Sequence, residues 1–259
     1  MKKMLIPALA LLLIITGCTT APKDTLMQVS TIDALLAGAY DGQMTLGELK
    51  KHGNLGIGTF DALEGEMIVI NGKVYQARVD GSVVKMPNHA TTPFATVVNF
   101  DKDQSELIRG PLSKEDLQGK IDQMAPNKNV FIAVRIDGSF PSMKVRSVPK
   151  QEKPYPTLAD AEKHQVVFEY TDVSGTVLGF RSPAFTKGIG GPGYHLHFIS
   201  RDRKIGGHVL GLTLGTASLQ LDTCNESLLV LPADQIRTDH RKTRLARLPP
   251  VGTGFARHR

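Results

Sequence analysis

Tryptophan is absent from this chain of 259 residues, and aromatic residues make up only 6% of it. So few aromatic rings argue against a carbohydrate groove or a platform on which nucleic-acid bases stack. Disorder is excluded for the bulk of the chain, because 41% hydrophobic and 22% charged residues are ordinary globular values. The length fits one large domain or two small ones with a real core.

The N-terminus has the pattern of an export signal. Two lysines precede an apolar run over residues 4–15, and Ile-Thr-Gly-Cys at 15–18 resembles a bacterial lipoprotein box. A run this short does not span a membrane as a mature helix. We therefore predict a lipoprotein-type signal peptide over 1–18 with a lipidated Cys18 and a tether over 19–26, which would hold the protein on a membrane outside the cytoplasm. The alternatives are a plain cleaved signal and an anchoring helix.

Cysteine is scarce, with only Cys18 and Cys224 in the chain. If Cys18 carries a lipid, Cys224 is the only thiol left and no internal disulfide can form. The apolar residues around Cys224 predict a packed small side chain rather than a nucleophile.

Net charge is concentrated at one end of the chain. The 31 Lys and Arg exceed the 25 Asp and Glu by six, and residues 237–259 hold seven basic residues and one Asp, which gives the whole net charge of +6. Residues 1–236 therefore carry no net charge, and the basic pI does not indicate nucleic-acid binding. We expect no nucleic-acid partner.

The hydrophobic pattern predicts an α+β protein dominated by antiparallel and mixed β-sheet, with a few short helices and a barrel-like second half. Asn-Gly at 71–72, between two apolar runs, is the strongest short signal of a hairpin. Three prolines within 146–156 mark the expected boundary between halves. We assign 27–148 to an N-terminal α+β domain and 149–236 to a C-terminal β-rich domain that binds metal, followed by an atypical basic tail at 237–259.

Four strands are expected in the second half of the chain, at 165–171, 175–181, 193–199 and 207–213. The expected helices are short. Ser113 is the predicted N-cap of a helix that ends near Met124.

Three of the eight histidines, His195, His197 and His208, fall within fourteen residues. Alternate residues of a strand share a face, so the imidazoles of His195 and His197 point the same way. If the flanking strands form a hairpin centred on Asp202 and Arg203, His208 lies directly opposite His197, with Cβ atoms ~4.5–5.5 Å apart. Three such nitrogen donors suit one Zn²⁺ and leave an open coordination position, as in catalytic zinc sites. The alternative is a set of solvated polar side chains on a sheet face.

Glu66 and Arg146 are candidate partners of the metal. Glu66 precedes an apolar strand, where it can project a carboxylate into a cleft or lie at a solvated strand start. Arg146 follows a strand-like run, where its guanidinium can hold a substrate carboxylate by two contacts or remain a surface cation. A cupin-like iron oxygenase also uses alternate histidines on a barrel strand, but the Glu that normally follows them is missing from 198–204.

The motifs around these residues resemble bacterial α-acetolactate decarboxylase over roughly residues 27–231. They are Gly56-Ile57-Gly58-Thr59-Phe60, Leu63-Glu64-Gly65-Glu66-Met67, Thr92-Pro93-Phe94-Ala95, Arg135-Ile136-Asp137-Gly138-Ser139-Phe140, Arg146-Ser147-Val148-Pro149, and the stretches 175–183 and 193–208. The resemblance implies a two-domain β-rich fold, commonly a homodimer. It also implies a zinc enzyme that converts a small keto acid, (S)-2-acetolactate, to (R)-acetoin and CO₂.

By position, the resemblance implies three Zn²⁺ ligands: His195, His197 and His208. It makes Glu66 and Arg146 the active-site carboxylate and guanidinium, and Thr59 a hydroxyl near the metal. On this hypothesis Zn²⁺ stabilises an enediolate as CO₂ leaves, Arg146 orients the substrate carboxylate, and Glu66 moves protons.

The C-terminus departs from the family pattern, in which an acidic segment supplies a Glu to the active site. The last Glu here is Glu226, and the basic tail begins at 237. One explanation is a tail that binds anionic lipid beside the anchored N-terminus; the other is a shifted reading frame near Gln235. The departure puts full activity in question. The alternative functions are therefore a lipid-anchored zinc-binding protein and an inactive remnant of the decarboxylase.

Overall fold

The computed structural model describes residues 24–232. The predicted signal peptide, the lipidated Cys18, most of the tether at 19–26 and the basic tail at 237–259 lie outside the described residues. Between residues 24 and 232 no helix is long and apolar enough to cross a membrane.

The described part of the chain contains fourteen β-strands, four short α-helices and three 3₁₀ turns. The strands are β1 Thr25–Val29, β2 Met44–Thr45, β3 Leu55–Thr59, β4 Glu66–Ile70, β5 Lys73–Ala77, β6 Val83–Lys85, β7 Thr91–Thr92, β8 Ala95–Val98, β9 Gln104–Ser113, β10 Phe131–Ser147, β11 Val166–Ser182, β12 Gly193–Ser200, β13 Gly206–Cys224 and β14 Glu226–Val230. The helices are α1 Ile32–Leu36, α2 Leu46–Leu49, α3 Lys114–Met124 and α4 Leu158–Ala161. The 3₁₀ turns are Asp61–Leu63, Glu162–His164 and Ala184–Thr186.

Two large sheets make up the fold. Seven strands form one mixed sheet in the order β14-β1-β8-β3-β4-β5-β6, in which the β1–β14 pair is parallel. In the other sheet β10, β11, β12 and β13 pair in turn and β13 also pairs with β10, so the sheet closes into a partial barrel with β9 at its edge. The predicted fold class and the barrel-like character are confirmed. Each sheet takes strands from both sides of residue 148, and the assigned domain boundaries stay a prediction.

Local signals in the sequence account for several elements. In the β4–β5 hairpin, Asn71 and Gly72 have φ of 51° and 69°, which is the left-handed turn that Asn-Gly predicts. The side chain of Ser113 accepts a hydrogen bond from the N–H of Asp116 and caps α3. Both predictions are confirmed.

The prediction of separate strands at 165–171 and 175–181 was wrong, because β11 runs continuously through both. Its partner β10 contains Pro141, which has no N–H to donate. Pro141 and the facing Asp172 are both skipped in the β10–β11 pairing, and Asp172 has a φ of 53°. The pairing is interrupted at this one position and resumes in the same register on either side, so neither strand ends there.

The barrel sheet buries both of its faces. One face packs on itself and on α3, with Leu196 and Phe198 of β12 among its fully or nearly buried members. The opposite face packs on the seven-stranded sheet, where Ile199 of β12 meets Ile68 of β4. Cys224 is buried in this second cluster as a free thiol, which confirms that it is a packed small residue. The face of β12 that carries its histidines is thus the face turned toward β4.

Candidate active site

The three histidines lie on two neighbouring strands of the barrel. His195 and His197 alternate on β12, while Leu196 and Phe198 between and beside them point into the opposite cluster. His208 on β13 is the direct cross-strand partner of His197. The predicted hairpin register is confirmed.

The three imidazole rings converge. Ring centroids are 5.1 Å apart for His195 and His197, 4.9 Å for His195 and His208, and 5.3 Å for His197 and His208. One ligand nitrogen from each ring lies within 4.8 Å of the other two. Tetrahedral zinc with bonds of ~2.0–2.1 Å places its ligand nitrogens roughly 3.3 Å apart. Small side-chain rotations therefore suffice to bring all three onto one ion.

The hydrogen bonds of the rings leave nitrogen lone pairs available. Nδ1 of His197 lies 2.8 Å from the carbonyl oxygen of Met67 on β4. Because a carbonyl can only accept, Nδ1 carries the proton and Nε2 carries the lone pair. In the described part of the chain, His197 Nε2 and His208 Nδ1 are buried and have no hydrogen-bond partner. Buried polar atoms are rarely left unpaired, so these two nitrogens fit a metal ion.

The histidines are electrostatically suited to bind a cation as neutral ligands. Burial, with a smaller contribution from the Arg146 cation, lowers the pKa of His195 to about 4. Burial, and next the neighbouring His195, lowers the pKa values of His197 and His208 well below the ordinary value. All three imidazoles are therefore unprotonated at neutral pH, the form in which histidine coordinates metals.

Glu66 lies at the start of β4, directly opposite Thr59 at the end of β3. The hydroxyl of Thr59 donates to the carbonyl oxygen of Gly65 (2.8 Å) and so ties the β3–β4 connection closed just before Glu66. Glu66 Oε2 is 3.5 Å from His197 Nε2. Burial raises the pKa of Glu66 to about 7, although the Arg146 cation opposes the rise. This carboxyl can therefore exchange a proton near neutral pH.

Arg146 on β10 is the cross-strand partner of His208 on β13. His197, His208 and Arg146 thus stand side by side in a row across β12, β13 and β10. Arg146 Nη1 is 3.6 Å from Glu66 Oε1, and Arg146 Nη2 donates to Glu162 Oε1 at 2.8 Å. The guanidinium therefore faces two carboxylates.

Gly207 allows β10 and β13 to approach closely beside this row. Its φ is +151°, and a Cβ added there would lie 2.6 Å from the carbonyl oxygen of Arg146. A side chain at this position would push apart the strands that carry Arg146 and His208.

A cavity of about 250 Å³ opens in front of these groups. Its apolar wall is formed by Ile32, Leu35, Leu63, Phe94, Val148 and Leu158. Of the six residues predicted from sequence, five line the cavity: Thr59, Glu66, Arg146, His195 and His208. The sixth, His197, is fully buried and contacts Glu66. The structure thus brings all six together, and their chemical roles stay a prediction.

Sequence reasoning missed two partners of the site. Glu162 lines the cavity and holds Arg146, yet it follows a short helix and resembles any solvated helical Glu in the sequence. The carbonyl of Met67, which fixes the tautomer of His197, has no side-chain signature at all. Neither contact could be found by spacing, because both join segments that meet only in the folded chain.

The fold and site together define a class: a β-rich protein with a three-histidine candidate metal centre at a small pocket that also holds carboxylates and a guanidinium. Residues 26–245 match the family model described as Alpha-acetolactate decarboxylase, and the chain belongs to this family. The resemblance inferred from the sequence motifs is confirmed.

Relatives in this family are similar over most of the chain. The Alpha-acetolactate decarboxylase of Methanosarcina mazei is 49% identical over 210 residues, which cover 81% of this chain and 73% of that protein. The protein of the same name from Bacillus subtilis is 40% identical over 216 residues, covering 83% of this chain and 85% of that protein. The crystal structure of alpha-acetolactate decarboxylase from Bacillus subtilis strain 168 aligns with a TM-score of 0.80 and 40% identity, over 81% of this chain and 90% of that chain.

Proposed function

We propose that this protein is a zinc-dependent decarboxylase that converts (S)-2-acetolactate to (R)-acetoin and CO₂. The observation that carries the proposal is the convergence of three buried, neutral imidazoles beside Glu66 and Arg146 at one small cavity, two of them with nitrogens that have no hydrogen-bond partner within residues 24–232. Membership of the Alpha-acetolactate decarboxylase family supports the same reaction.

His195, His197 and His208 would hold the metal. Three neutral nitrogen donors suit Zn²⁺ and leave a coordination position open for a substrate. When bound, the ion supplies Lewis-acid stabilisation of negative charge on the substrate oxygens. His197 Nδ1–H donates to the carbonyl oxygen of Met67, which keeps this ring in the tautomer whose Nε2 can bind the metal.

Arg146 would bind the carboxylate of the substrate. Among the described residues that line the cavity, Arg146 is the one Lys or Arg side chain. A guanidinium can hold a carboxylate by two parallel N–H bonds, which fixes the direction of the carbon–carbon bond that has to break. The apolar wall, which includes Phe94 and Val148, would limit the water around this carboxylate.

Glu66 would supply the proton that completes the reaction. As CO₂ leaves, the electron pair of the broken bond delocalises over the carbon and the adjacent ketone oxygen. A proton added at that carbon then gives the hydroxyketone. Because the pKa of Glu66 is raised to about 7 by burial, its protonated form is present at neutral pH and can act as the general acid.

The test is to incubate the purified protein with (S)-2-acetolactate, with and without a chelator, and to measure acetoin and CO₂. We expect both products, their loss on chelation and their recovery with Zn²⁺. His195→Ala should lose bound metal and turnover together, whereas His89→Ala, at an exposed histidine that does not line the cavity, should keep both.

Other outcomes have distinct meanings. Turnover by metal-free protein would refute the metal dependence. Bound zinc without CO₂ release would favour the lipid-anchored zinc-binding protein or the inactive remnant. Bound iron with oxygen-dependent turnover would favour the cupin-like oxygenase.

The anchor and the assembly belong to the same proposal. The sequence pattern at 15–18 supports lipidation of Cys18 and attachment to a membrane outside the cytoplasm. Cys18→Ser should therefore move the protein from the membrane fraction to the soluble fraction. The homodimer suggested by family resemblance predicts a sedimentation mass near twice the monomer mass.

A further inference from the structure

The guanidinium of Arg146 is hydrogen-bonded to Glu162 but only lies near Glu66. Nη2 donates to Glu162 Oε1 at 2.8 Å, a short charge-assisted hydrogen bond. Nη1 is 3.6 Å from Glu66 Oε1, which is beyond hydrogen-bond distance. The orientation of the guanidinium is therefore fixed by Glu162 and not by Glu66.

The structure also places Glu162 firmly. It is the first residue of the 3₁₀ turn Glu162–His164, immediately after α4. The preceding Ala161 is fully buried, and Thr157 caps the start of α4 by accepting from the N–H of Asp160. The segment that carries Glu162 is thus held in place by the buried Ala161 and by the N-cap Thr157.

The exposure of this pair argues against a merely structural role. The side chain of Glu162 is 37% exposed and that of Arg146 is 14% exposed. An ion pair with one partner this accessible to solvent adds little to the stability of a fold. The hydrogen bond instead fixes the orientation of the guanidinium, because it keeps Arg146 from turning toward Glu66.

We infer that Glu162 is a positioning residue: it anchors Nη2 of Arg146 so that the rest of the guanidinium stays available to a substrate carboxylate in the cavity. This inference rests on the proposed function, in which Arg146 binds that carboxylate. Without Glu162, the guanidinium of Arg146 is free to close the 3.6 Å gap to Glu66 and to donate a hydrogen bond to it. The substrate carboxylate then competes with a protein carboxylate for the same nitrogen atoms.

The experiment compares Glu162→Ala, Glu162→Gln, Arg146→Lys and the double variant Glu162→Ala/Arg146→Lys with wild type. Glu169→Gln is the control, because Glu169 pairs with Lys144 at 2.7 Å but is 70% exposed and does not line the cavity. We expect Glu162→Ala to raise KM about tenfold, with a much smaller change in kcat. Glu162→Gln keeps a neutral acceptor for Nη2 and should lose less.

Two further measurements separate positioning from general damage. In the Arg146→Lys background, Glu162→Ala should add less than about a twofold effect, because Glu162 acts through the guanidinium. Calorimetry with 2-hydroxy-2-methylpropanoate, a 2-hydroxy acid that has no ketone and cannot decarboxylate, gives a readout without turnover. Its Kd should rise about tenfold in Glu162→Ala and stay unchanged in Glu169→Gln.

Each result decides the question. The inference is overturned if Glu162→Ala and Glu169→Gln have the same KM and Kd. It is also overturned if Glu162→Ala raises KM by the same factor in the Arg146→Lys background as in wild type. If Glu162→Ala does not fold, the smaller loss expected of Glu162→Gln carries the test. If wild type binds the hydroxy acid, Glu162→Ala weakens that binding and wild type releases no CO₂, the proposed function alone is refuted. If wild type neither binds the hydroxy acid nor releases CO₂, both are refuted.

Discussion

Replacement of His208 by phenylalanine should have opposite effects on stability in the absence and presence of zinc. Nδ1 of His208 is buried without a hydrogen-bond partner in the described structure. Leaving such an atom unpaired costs about 1–3 kcal/mol. Phenylalanine keeps a planar ring and removes that atom, but it is slightly larger than imidazole. We therefore expect the free energy of unfolding of the metal-free protein to rise by about 1 kcal/mol in His208→Phe.

With zinc present, we expect wild type to be more stable than His208→Phe. A ligand at one hundred times its Kd stabilises the folded protein by about 2.7 kcal/mol. If the loss of one of three ligands weakens zinc binding about a hundredfold, the same zinc concentration stabilises His208→Phe by only about 0.4 kcal/mol. Wild type should then exceed the variant by about 1 kcal/mol when zinc is present.

The assay is equilibrium unfolding in denaturant, with chelator in one series and zinc in the other. His89→Phe, at an exposed histidine distant in sequence from the cluster, is the control and should respond to zinc as wild type does. Equal stabilisation of wild type and His208→Phe by zinc would mean that the histidine cluster does not hold the ion. A metal-free variant less stable than wild type would show that the unpaired nitrogen carries no cost.

Two further predictions concern the stability of the fold itself. Burial raises the pKa of Asp222 to about 6, so the folded state binds its proton more tightly than the unfolded chain. The free energy of unfolding should fall by about 2–3 kcal/mol from about pH 4 to about pH 6, and Asp222→Asn should flatten this slope in denaturant midpoints; an unchanged slope contradicts the reasoning. Gly207→Ala should cost about 2 kcal/mol or more in thermal or denaturant unfolding, whereas Gly119→Ala in α3, where a Cβ meets nothing within 4 Å, should add about 1 kcal/mol; equal effects would contradict the close approach at Gly207.

Local chemistry made much of the fold predictable. The Asn-Gly turn predicted a hairpin, and the alternation of His195 and His197 predicted that they share a face of β12. The pairing of His197 with His208 followed from a hairpin centred on Asp202 and Arg203. Where the prediction failed, at β11, the cause lay on another strand. Pro141 of β10 and Asp172 of β11 face each other where the pairing is interrupted without ending either strand, which neither segment reveals alone.

In the candidate site, too, some contacts were predictable from the sequence and others were not. The histidines are close in sequence, so strand geometry was enough to bring them together. The bonds from Arg146 to Glu162 and from His197 to Met67 join residues 16 and 130 positions apart. Their existence depends on how α4 and β4 pack against the barrel, which no periodicity in the chain encodes.

The row of His197, His208 and Arg146 has a consequence for how this protein can change. Its members sit on three adjacent strands and are aligned by backbone ladders, not by the shape of any loop. Insertions or deletions in the connection at 201–205 should be tolerated as long as the ladder is preserved. A shift of one residue along β12 or β13 would instead turn the imidazoles into the apolar interior. Variation can therefore change this connection while the alignment of these strands remains fixed.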